Sequence, residues 1–130
     1  MRFLKGHKAS SGKLGVTGFC WGGGTTNYLA VAMGADMQAG VPFYGAAAET
    51  AGVARIKSAL LIQYAESDER INAMWPGYEG ALKAAGVAYQ AYFYPGTQHG
   101  FHNNSTPRYS EAAAKLAWER TVAFFKKNLA

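Results

Sequence analysis

The stretch Lys13–Gly24, KLGVTGFCWGGG, decides the fold. Its apolar, β-branched beginning predicts a buried strand, and Thr25–Met33 predicts a helix that follows. Cys20 stands between them with glycines two residues away on either side, the spacing of the G-x-S-x-G elbow with cysteine in place of serine. Such a turn holds the apex residue at positive φ, where the backbone is strained. The glycines expected to let strand and helix close on each other are Gly18, Gly22 and Gly23.

This elbow predicts a nucleophile. At a helix N-terminus the macrodipole and free N–H groups favour a thiolate at Cys20. The backbone N–H of Trp21, the next residue, is the candidate oxyanion donor. The alternative is a buried cysteine that packs as a small apolar side chain. A phosphate-binding turn is the other rival, but the glycine spacing fits neither common phosphate motif.

Composition bounds the class of protein. The chain has 130 residues, and we expect one domain over residues 1–130. Hydrophobic residues make up 49% and charged residues 16%, without an apolar run near the length of a membrane span. A single cysteine excludes an internal disulfide and disfavours structural zinc, so a cytoplasmic location is the default expectation. The net charge of +5 is scattered, and we predict neither nucleic-acid nor membrane binding.

The remaining chain alternates strands with helices. A leading helical segment covers Met1–Lys8, and a last helix is expected to open at Pro107. Between them, Ile71–Ala85 is expected to be helical with an interruption at Pro76-Gly77, and it ends at Gly86. Ala46–Lys57 is either loop or short helix. Three further apolar runs predict strands: Met37–Tyr44, Ser58–Tyr64 and Val87–Tyr94. This order indicates an α/β fold with a mostly parallel sheet covered by helices on both faces.

Three chemically active residues follow three predicted strands. Cys20, Asp68 and His99 each fall just past a strand end, where catalytic groups of open α/β sheets gather. Their order is nucleophile, acid, histidine, as in α/β-hydrolases. His99 would exchange protons with the cysteine and the leaving group, and Asp68 would orient the imidazole. Asp68 alone could also simply cap the following helix.

Rivals exist for two of these positions. Glu66 is a second acid in the same loop, and His102 is a second histidine that could face substrate or have no role. His7 lies far from any strand end, and we give it no role. The candidate pocket walls, each of which could equally be core, are Phe19, Trp21, Tyr44 and Phe101.

The chain resembles the dienelactone hydrolase (carboxymethylenebutenolidase) family. The resemblance rests on Gly18–Gly23 (GFCWGG), Ser67-Asp68, His99–Phe101 (HGF) and the tail after Pro107. It implies a three-layer α/β-hydrolase fold, with a triad carried here by Cys20, Asp68 and His99. The resemblance covers the C-terminal half of that family, so the expected fold is truncated at the N-terminus and lacks the early strands. Absent with them are the family's second oxyanion donor, a glutamate that engages the cysteine and an arginine for a substrate carboxylate.

The resemblance implies a hydrolase of small esters or lactones that works through a thioester on Cys20 and needs no metal or organic cofactor. The alternative is a catalytically silent half-domain that persists as an oligomeric structural remnant. In either case the strand Lys13–Thr17 becomes an uncovered sheet edge, which another chain can pair with. We therefore expect a homodimer or higher homo-oligomer that covers this edge.

Overall fold

The structure is a computed structural model that describes all 130 residues. Two short 3-10 segments cover Gly34–Asp36 and Thr50–Arg55. None of the helices combines the length and apolar character needed to cross a bilayer. The regular elements are α1 (Arg2–Gly6), β1 (Gly15–Phe19), α2 (Trp21–Met33), β2 (Ala39–Phe43), β3 (Ala59–Ser67), α3 (Glu69–Asn72), α4 (Trp75–Ala84), β4 (Tyr89–Gln98) and α5 (Glu111–Leu129).

The four strands form one parallel sheet in the order β1-β2-β3-β4. Side chains of β3 alternate between its two faces, as the pleat requires. Leu60 and Ile62 join a core beneath α2 and α4, whereas Leu61 and Ala65 join a second core beneath α5. Helices therefore cover both faces of the sheet, which confirms the predicted α/β class and its three layers.

Several element boundaries differ from the predictions. Helix α2 begins at Trp21 rather than Thr25, directly after the apex cysteine. Helix α5 begins at Glu111 rather than at Pro107, because Ser110 caps it by accepting a hydrogen bond from the Ala113 N–H. Strand β4 continues through Pro95-Gly96 to Gln98. A proline is tolerated there because β4 is an edge strand.

A buried polar side chain ties α5 to the sheet. Gln63, in the middle of β3, is fully buried. Its amide donates to the Ala117 carbonyl at 2.9 Å and to Thr121 Oγ1 at 3.1 Å, and its carbonyl accepts from the Tyr94 hydroxyl. Because every polar atom of the Gln63 side chain has a partner, its burial is not penalised and fixes the position of α5 over the strands.

A second buried amide organises the opposite face. Asn27 of α2 is fully buried, and its amide donates to the Ala46 carbonyl at 2.8 Å. Its side-chain carbonyl accepts from the Tyr78 hydroxyl of α4 at 2.9 Å. These two bonds hold the loop after β2 against α2 and hold α4 beside it. The loop thereby becomes a fixed wall near the carboxyl end of the sheet.

Strand β1 lies at one edge of the sheet, as predicted. The Leu14 carbonyl accepts from Ala39, and the Cys20 N–H donates to the Phe43 carbonyl. Since alternate residues of a parallel strand bond to the same neighbour, Gly15, Thr17 and Phe19 direct their N–H and C=O groups away from β2. This edge therefore offers a row of backbone donors and acceptors.

Candidate active site

The register of the sheet brings four side chains together. Phe19 pairs with Phe43, so the next residues on β1 and β2, Cys20 and Tyr44, lie beside each other. Ser67 pairs with Gln98 in the same way, which places Asp68 beside His99. A register irregularity at Ala65/Ser67 precedes this last pair. The four residues after these pairs thus meet at the carboxyl edge of the sheet.

Cys20 has the backbone that the elbow pattern predicts. Its φ is 57° and its ψ is −117°, a strained region for a residue with a Cβ. Two backbone hydrogen bonds hold this turn. The Cys20 N–H donates to the Phe43 carbonyl at 3.0 Å, and the Gly24 N–H donates to the Cys20 carbonyl at 3.1 Å. Gly24 makes the first helical hydrogen bond of α2, so the N–H groups of Trp21, Gly22 and Gly23 have no acceptor within the helix.

Two of the three predicted elbow glycines are sterically required. A Cβ on Gly18 would lie 2.2 Å from the Gly22 carbonyl oxygen, and a Cβ on Gly23 would lie 2.4 Å from the Phe43 oxygen. For Gly22 the expectation of a clash was wrong, since a Cβ there would meet nothing within 4 Å. The reason is that the Gly22 backbone, rather than its Cβ position, faces the strand.

Cys20, His99 and Asp68 form one row of hydrogen-bonding distances. His99 Nε2 lies 2.9 Å from Cys20 Sγ, and His99 Nδ1 lies 2.5 Å from Asp68 Oδ2. The Asp68 side chain is 9% exposed and that of His99 26%, whereas Cys20 is an exposed residue. A carboxylate shielded from water interacts more strongly with an imidazole than one in bulk solvent. The row therefore runs from a protected acid to an accessible sulfur.

Asp68 and Glu66, the two acids considered for this site, differ in what their side chains contact. Asp68 occupies the N-cap position of α3, but its side chain makes no capping hydrogen bond and instead contacts His99. Glu66 points elsewhere, because its Oε2 accepts the Gly96 N–H at 2.7 Å. That bond joins β3 to β4 just before Asp68 and His99, so Glu66 supports the geometry of the row without belonging to it.

Tyr44 packs against the histidine of this row. Its ring centroid lies 5.0 Å from that of His99 in an edge-on arrangement. Tyr44 also has a positive φ of 34°, rare for a residue with a large side chain. Burial raises the pKa of Tyr44 to about 12, against the opposing effect of the His102 backbone N–H. At neutral pH the hydroxyl is therefore uncharged beside the sulfur and can act as a hydrogen-bond donor.

Two of the other predicted aromatic walls, Phe19 and Phe101, differ in position. Phe19 stacks on His102 at 4.9 Å, and burial lowers the pKa of His102, which keeps that imidazole neutral. His102 thus packs as an aromatic ring near the site and makes no contact with Asp68. Phe101 is fully buried against Tyr44 and Tyr94 and lines neither cavity beside Cys20. Gly100, with φ of 85°, turns the chain so that Phe101 enters the core.

Two cavities open on Cys20, Tyr44 and His99. The larger, of about 860 Å³, extends along α2 and is mostly apolar. Trp21, Thr25 and Tyr28 line it, a set that the i, i+4, i+7 spacing along one face of α2 could have indicated. The smaller cavity, of about 480 Å³, is less apolar than the larger one, and the residues that line it include Asn103, Thr106 and Arg108. No group of three or more His, Cys, Asp or Glu side chains is arranged to hold a metal ion.

The family follows from this geometry together with similarity to known proteins. The model of the dienelactone hydrolase family matches residues 1–129. The chain belongs to the dienelactone hydrolase family. Strongly similar solved structures agree, and its fold is the α/β-hydrolase fold.

Curated relatives of this family are about twice as long as the chain. A protein of Methylorubrum extorquens named "Putative carboxymethylenebutenolidase" is 32% identical, over 96% of this chain but 47% of its own length. Protein usf of Aquifex pyrophilus is 34% identical, over 98% of this chain and 57% of its own. The chain therefore spans about half the length of the curated dienelactone hydrolase relatives it matches.

This chain also covers only about half of similar solved structures. A Klebsiella pneumoniae protein described as "Putative Dienelactone Hydrolase" superposes with a TM-score of 0.81 at 27% identity. The match covers 88% of this chain and 52% of that one. P91, described as a dienelactone hydrolase-like promiscuous phosphotriesterase from metagenomic libraries, gives a TM-score of 0.86 at 22% identity, over 98% of this chain and 57% of its own. At that identity P91 supports the fold alone.

Proposed function

We propose that this chain hydrolyses small carboxylic esters or lactones through a covalent thioester on Cys20. The observation that carries the proposal is the row of Cys20, His99 and Asp68, with distances of 2.9 and 2.5 Å, at the mouth of a cavity. A nucleophile, a base within hydrogen-bonding reach of it and a group that orients the base are what acyl transfer requires. Membership of a family of hydrolases supports the same chemistry.

In the first half-reaction the Cys20 thiol proton passes to His99 Nε2 and the sulfur attacks the carbonyl carbon. The negative charge that develops on the carbonyl oxygen is stabilised by the free Trp21 N–H at the start of α2. The C–O bond of the ester then breaks, and the departing oxygen takes the proton from His99. The products are an alcohol, or the ring-opened hydroxyl of a lactone, and a thioester on Cys20.

In the second half-reaction water replaces the alcohol. His99 Nε2 accepts a proton from water, and the water oxygen attacks the thioester carbonyl. The C–S bond breaks, and the sulfur recovers its proton from His99. Asp68 accepts the His99 Nδ1–H throughout, which holds the imidazole in the tautomer that can accept a proton at Nε2. Tyr44 packs edge-on with the His99 ring and limits its rotation.

Removal of the Asp68 charge tests the row against a purely structural role for this loop. Asp68→Asn should lower kcat/KM for p-nitrophenyl butyrate by about 100-fold or more, because the amide no longer stabilises a protonated His99. Glu66→Gln is the matched control, since its amide oxygen can still accept the Gly96 N–H. We expect it to change kcat/KM by less than about two-fold, because the new amide keeps the bond to Gly96 that positions this loop and makes no contact with the reacting atoms.

Equal rates in the wild type, Asp68→Asn and Glu66→Gln proteins would contradict the proposal. A wild-type rate no higher than the buffer blank would do the same and favour the silent half-domain. Circular dichroism of each variant separates loss of chemistry from loss of fold.

We also propose that a second copy of the chain pairs with the β1 edge. Gly15, Thr17 and Phe19 present unpaired backbone groups, and no proline or bulge interrupts this strand. Exposed aromatic side chains flank the edge, with Phe19 stacked on His102 and His102 beside Trp118. A pairing of two β1 strands about a two-fold axis would satisfy the backbone groups and cover part of this aromatic surface.

Thr17→Pro tests this pairing, because it removes an outward N–H while leaving the N–H groups that bond β2 in place. We expect dimers in sedimentation velocity of the wild type at micromolar concentration and monomers for Thr17→Pro. Thr17→Val, which also loses the side-chain bond to the Val41 carbonyl but keeps the N–H, should remain dimeric. A monomeric wild type would refute the pairing.

A further inference from the structure

We propose that the large cavity along α2 binds the acyl chain of the substrate, so that the preferred substrates carry elongated, unbranched, apolar acyl groups. The inference rests on the proposed hydrolysis and specifies its substrate class. We call the cavity the α2 groove; its α2 side is formed by Trp21, Thr25, Tyr28 and Val31. Its facing wall is formed by Ala46, Ala47, Ala48, Ala51 and Gly52.

The α2 groove is long enough for such a chain. It begins at Cys20 and follows one face of α2 as far as Val31. Ten residues of helix separate Trp21 from Val31, which at about 1.5 Å per residue makes roughly 15 Å. A volume of about 860 Å³ lies within the range of ligand-binding cavities and exceeds what an acetyl group needs.

Small side chains keep the α2 groove open. Its facing wall presents mainly alanine methyl groups, and it closes onto α2 at Gly52, where a Cβ would lie 2.8 Å from Val31 Cγ1. Larger residues at these positions would fill the space beside α2. The wall is also fixed, because the Asn27 amide holds the Ala46 carbonyl. The α2 groove is therefore a preformed apolar channel whose binding energy comes from contact with methylene groups.

The difference in polarity between the two cavities indicates which half of an ester each cavity binds. The acyl group stays bonded to the Cys20 sulfur from the first half-reaction until water hydrolyses the thioester, whereas the alcohol must leave and water must enter in between. The smaller cavity also reaches His99, and its lining includes Asn103, Asn104, Thr106 and Arg108, which suits water and a departing hydroxyl. The apolar α2 groove then takes the acyl chain. Its charged lining residues are Glu49 and Arg55, at either end of the second 3-10 segment, and Arg70.

The test is a chain-length series with a constant leaving group. From p-nitrophenyl acetate through butyrate and hexanoate to octanoate, kcat/KM should rise by roughly three-fold for each added methylene. Lengthening the alcohol instead, from ethyl acetate to octyl acetate, should give no comparable gain. A flat or falling acyl series in a protein whose hydrolysis depends on Cys20 would overturn the inference and leave the proposed function intact.

A matched pair of variants locates the effect in the α2 groove. Ala51 lines it, and Ala54, in the same 3-10 segment, is exposed and does not. Ala51→Trp should lower the octanoate-to-acetate ratio of kcat/KM by at least roughly ten-fold, because the indole occupies the space of the chain. Ala54→Trp should leave that ratio unchanged. An equal change of the ratio in both variants would overturn the inference.

A binding measurement keeps the inference testable if the protein hydrolyses nothing. The Cys20→Ala protein is titrated with ethyl octanoate and with ethyl acetate, and the heat of binding measured by calorimetry reports occupancy of the α2 groove. Tighter binding of ethyl octanoate, weakened by Ala51→Trp and not by Ala54→Trp, supports the acyl site. Equal affinity for the two esters overturns it, whatever the outcome for catalysis.

Discussion

Cys20→Ala should lower ester hydrolysis by at least about 1,000-fold, since it removes the chain's single thiol, which is the proposed attacking group. The expectation follows from the position of the sulfur 2.9 Å from His99 Nε2 at the mouth of both cavities. The measurement is kcat/KM for p-nitrophenyl butyrate in wild type and variant under identical conditions. A residual rate within ten-fold of the wild-type rate, which is a difference of about 1.4 kcal/mol in activation free energy, would mean that another group attacks the ester.

The fold offers an internal control for this substitution. Alanine at position 20 keeps a Cβ and therefore the same backbone strain at φ of 57°, so Cys20→Ala should unfold at nearly the wild-type denaturant concentration. Cys20→Gly removes the Cβ and should raise the free energy of unfolding by about 1 kcal/mol, while it is equally inactive. A stabilised but inactive Cys20→Gly protein separates the strain of the elbow from the chemistry of the thiol.

Gly23→Ala should destabilise the protein by about 3 kcal/mol, because the new methyl group has no space. It would lie 2.4 Å from the Phe43 carbonyl oxygen and 3.1 Å from the Gly45 backbone. The same oxygen accepts the Cys20 N–H, so relief of the clash must also displace the sulfur from His99. Urea denaturation followed by circular dichroism gives the change in free energy of unfolding.

Gly22→Ala is the matched control for this substitution. The two glycines are neighbours in the same helical turn, but a Cβ on Gly22 meets nothing within 4 Å. Alanine has the higher helix propensity, so Gly22→Ala should be neutral or stabilising by up to about 1 kcal/mol. Equal destabilisation by both substitutions would show that the close approach of α2 to β2 is not what restricts position 23.

The sequence was informative where local pattern and chemistry coincide. The glycine spacing around Cys20 predicted a strained apex, which is confirmed, and the strand ends predicted where Asp68 and His99 would lie. Both predictions rest on a rule of parallel sheets: residues that follow paired strand ends share one edge. For that reason three residues separated by dozens of positions could be placed in one site before any contact was known.

The errors arose where tertiary contacts override local preference. A run of three glycines is a poor helix former, so α2 was not expected to begin at Trp21; close packing on Phe43 and Gly45 holds it there. Phe101 resembled a pocket wall, but the positive φ of Gly100 turns it into the core. The α2 groove depends on the distance between α2 and a loop that no short sequence window contains.

The central claim is that the Cys20 sulfur carries the acyl group during turnover. Intact-protein mass spectrometry of the wild-type protein, quenched in acid during turnover of p-nitrophenyl octanoate, tests it most directly, because p-nitrophenolate leaves readily and the thioester should therefore accumulate before water hydrolyses it. The account predicts a mass increase of one octanoyl group, found after digestion on the peptide that contains Cys20 and absent from Cys20→Ala. An unmodified sulfur during measurable release of p-nitrophenol, or an acyl group on any other residue, would contradict it.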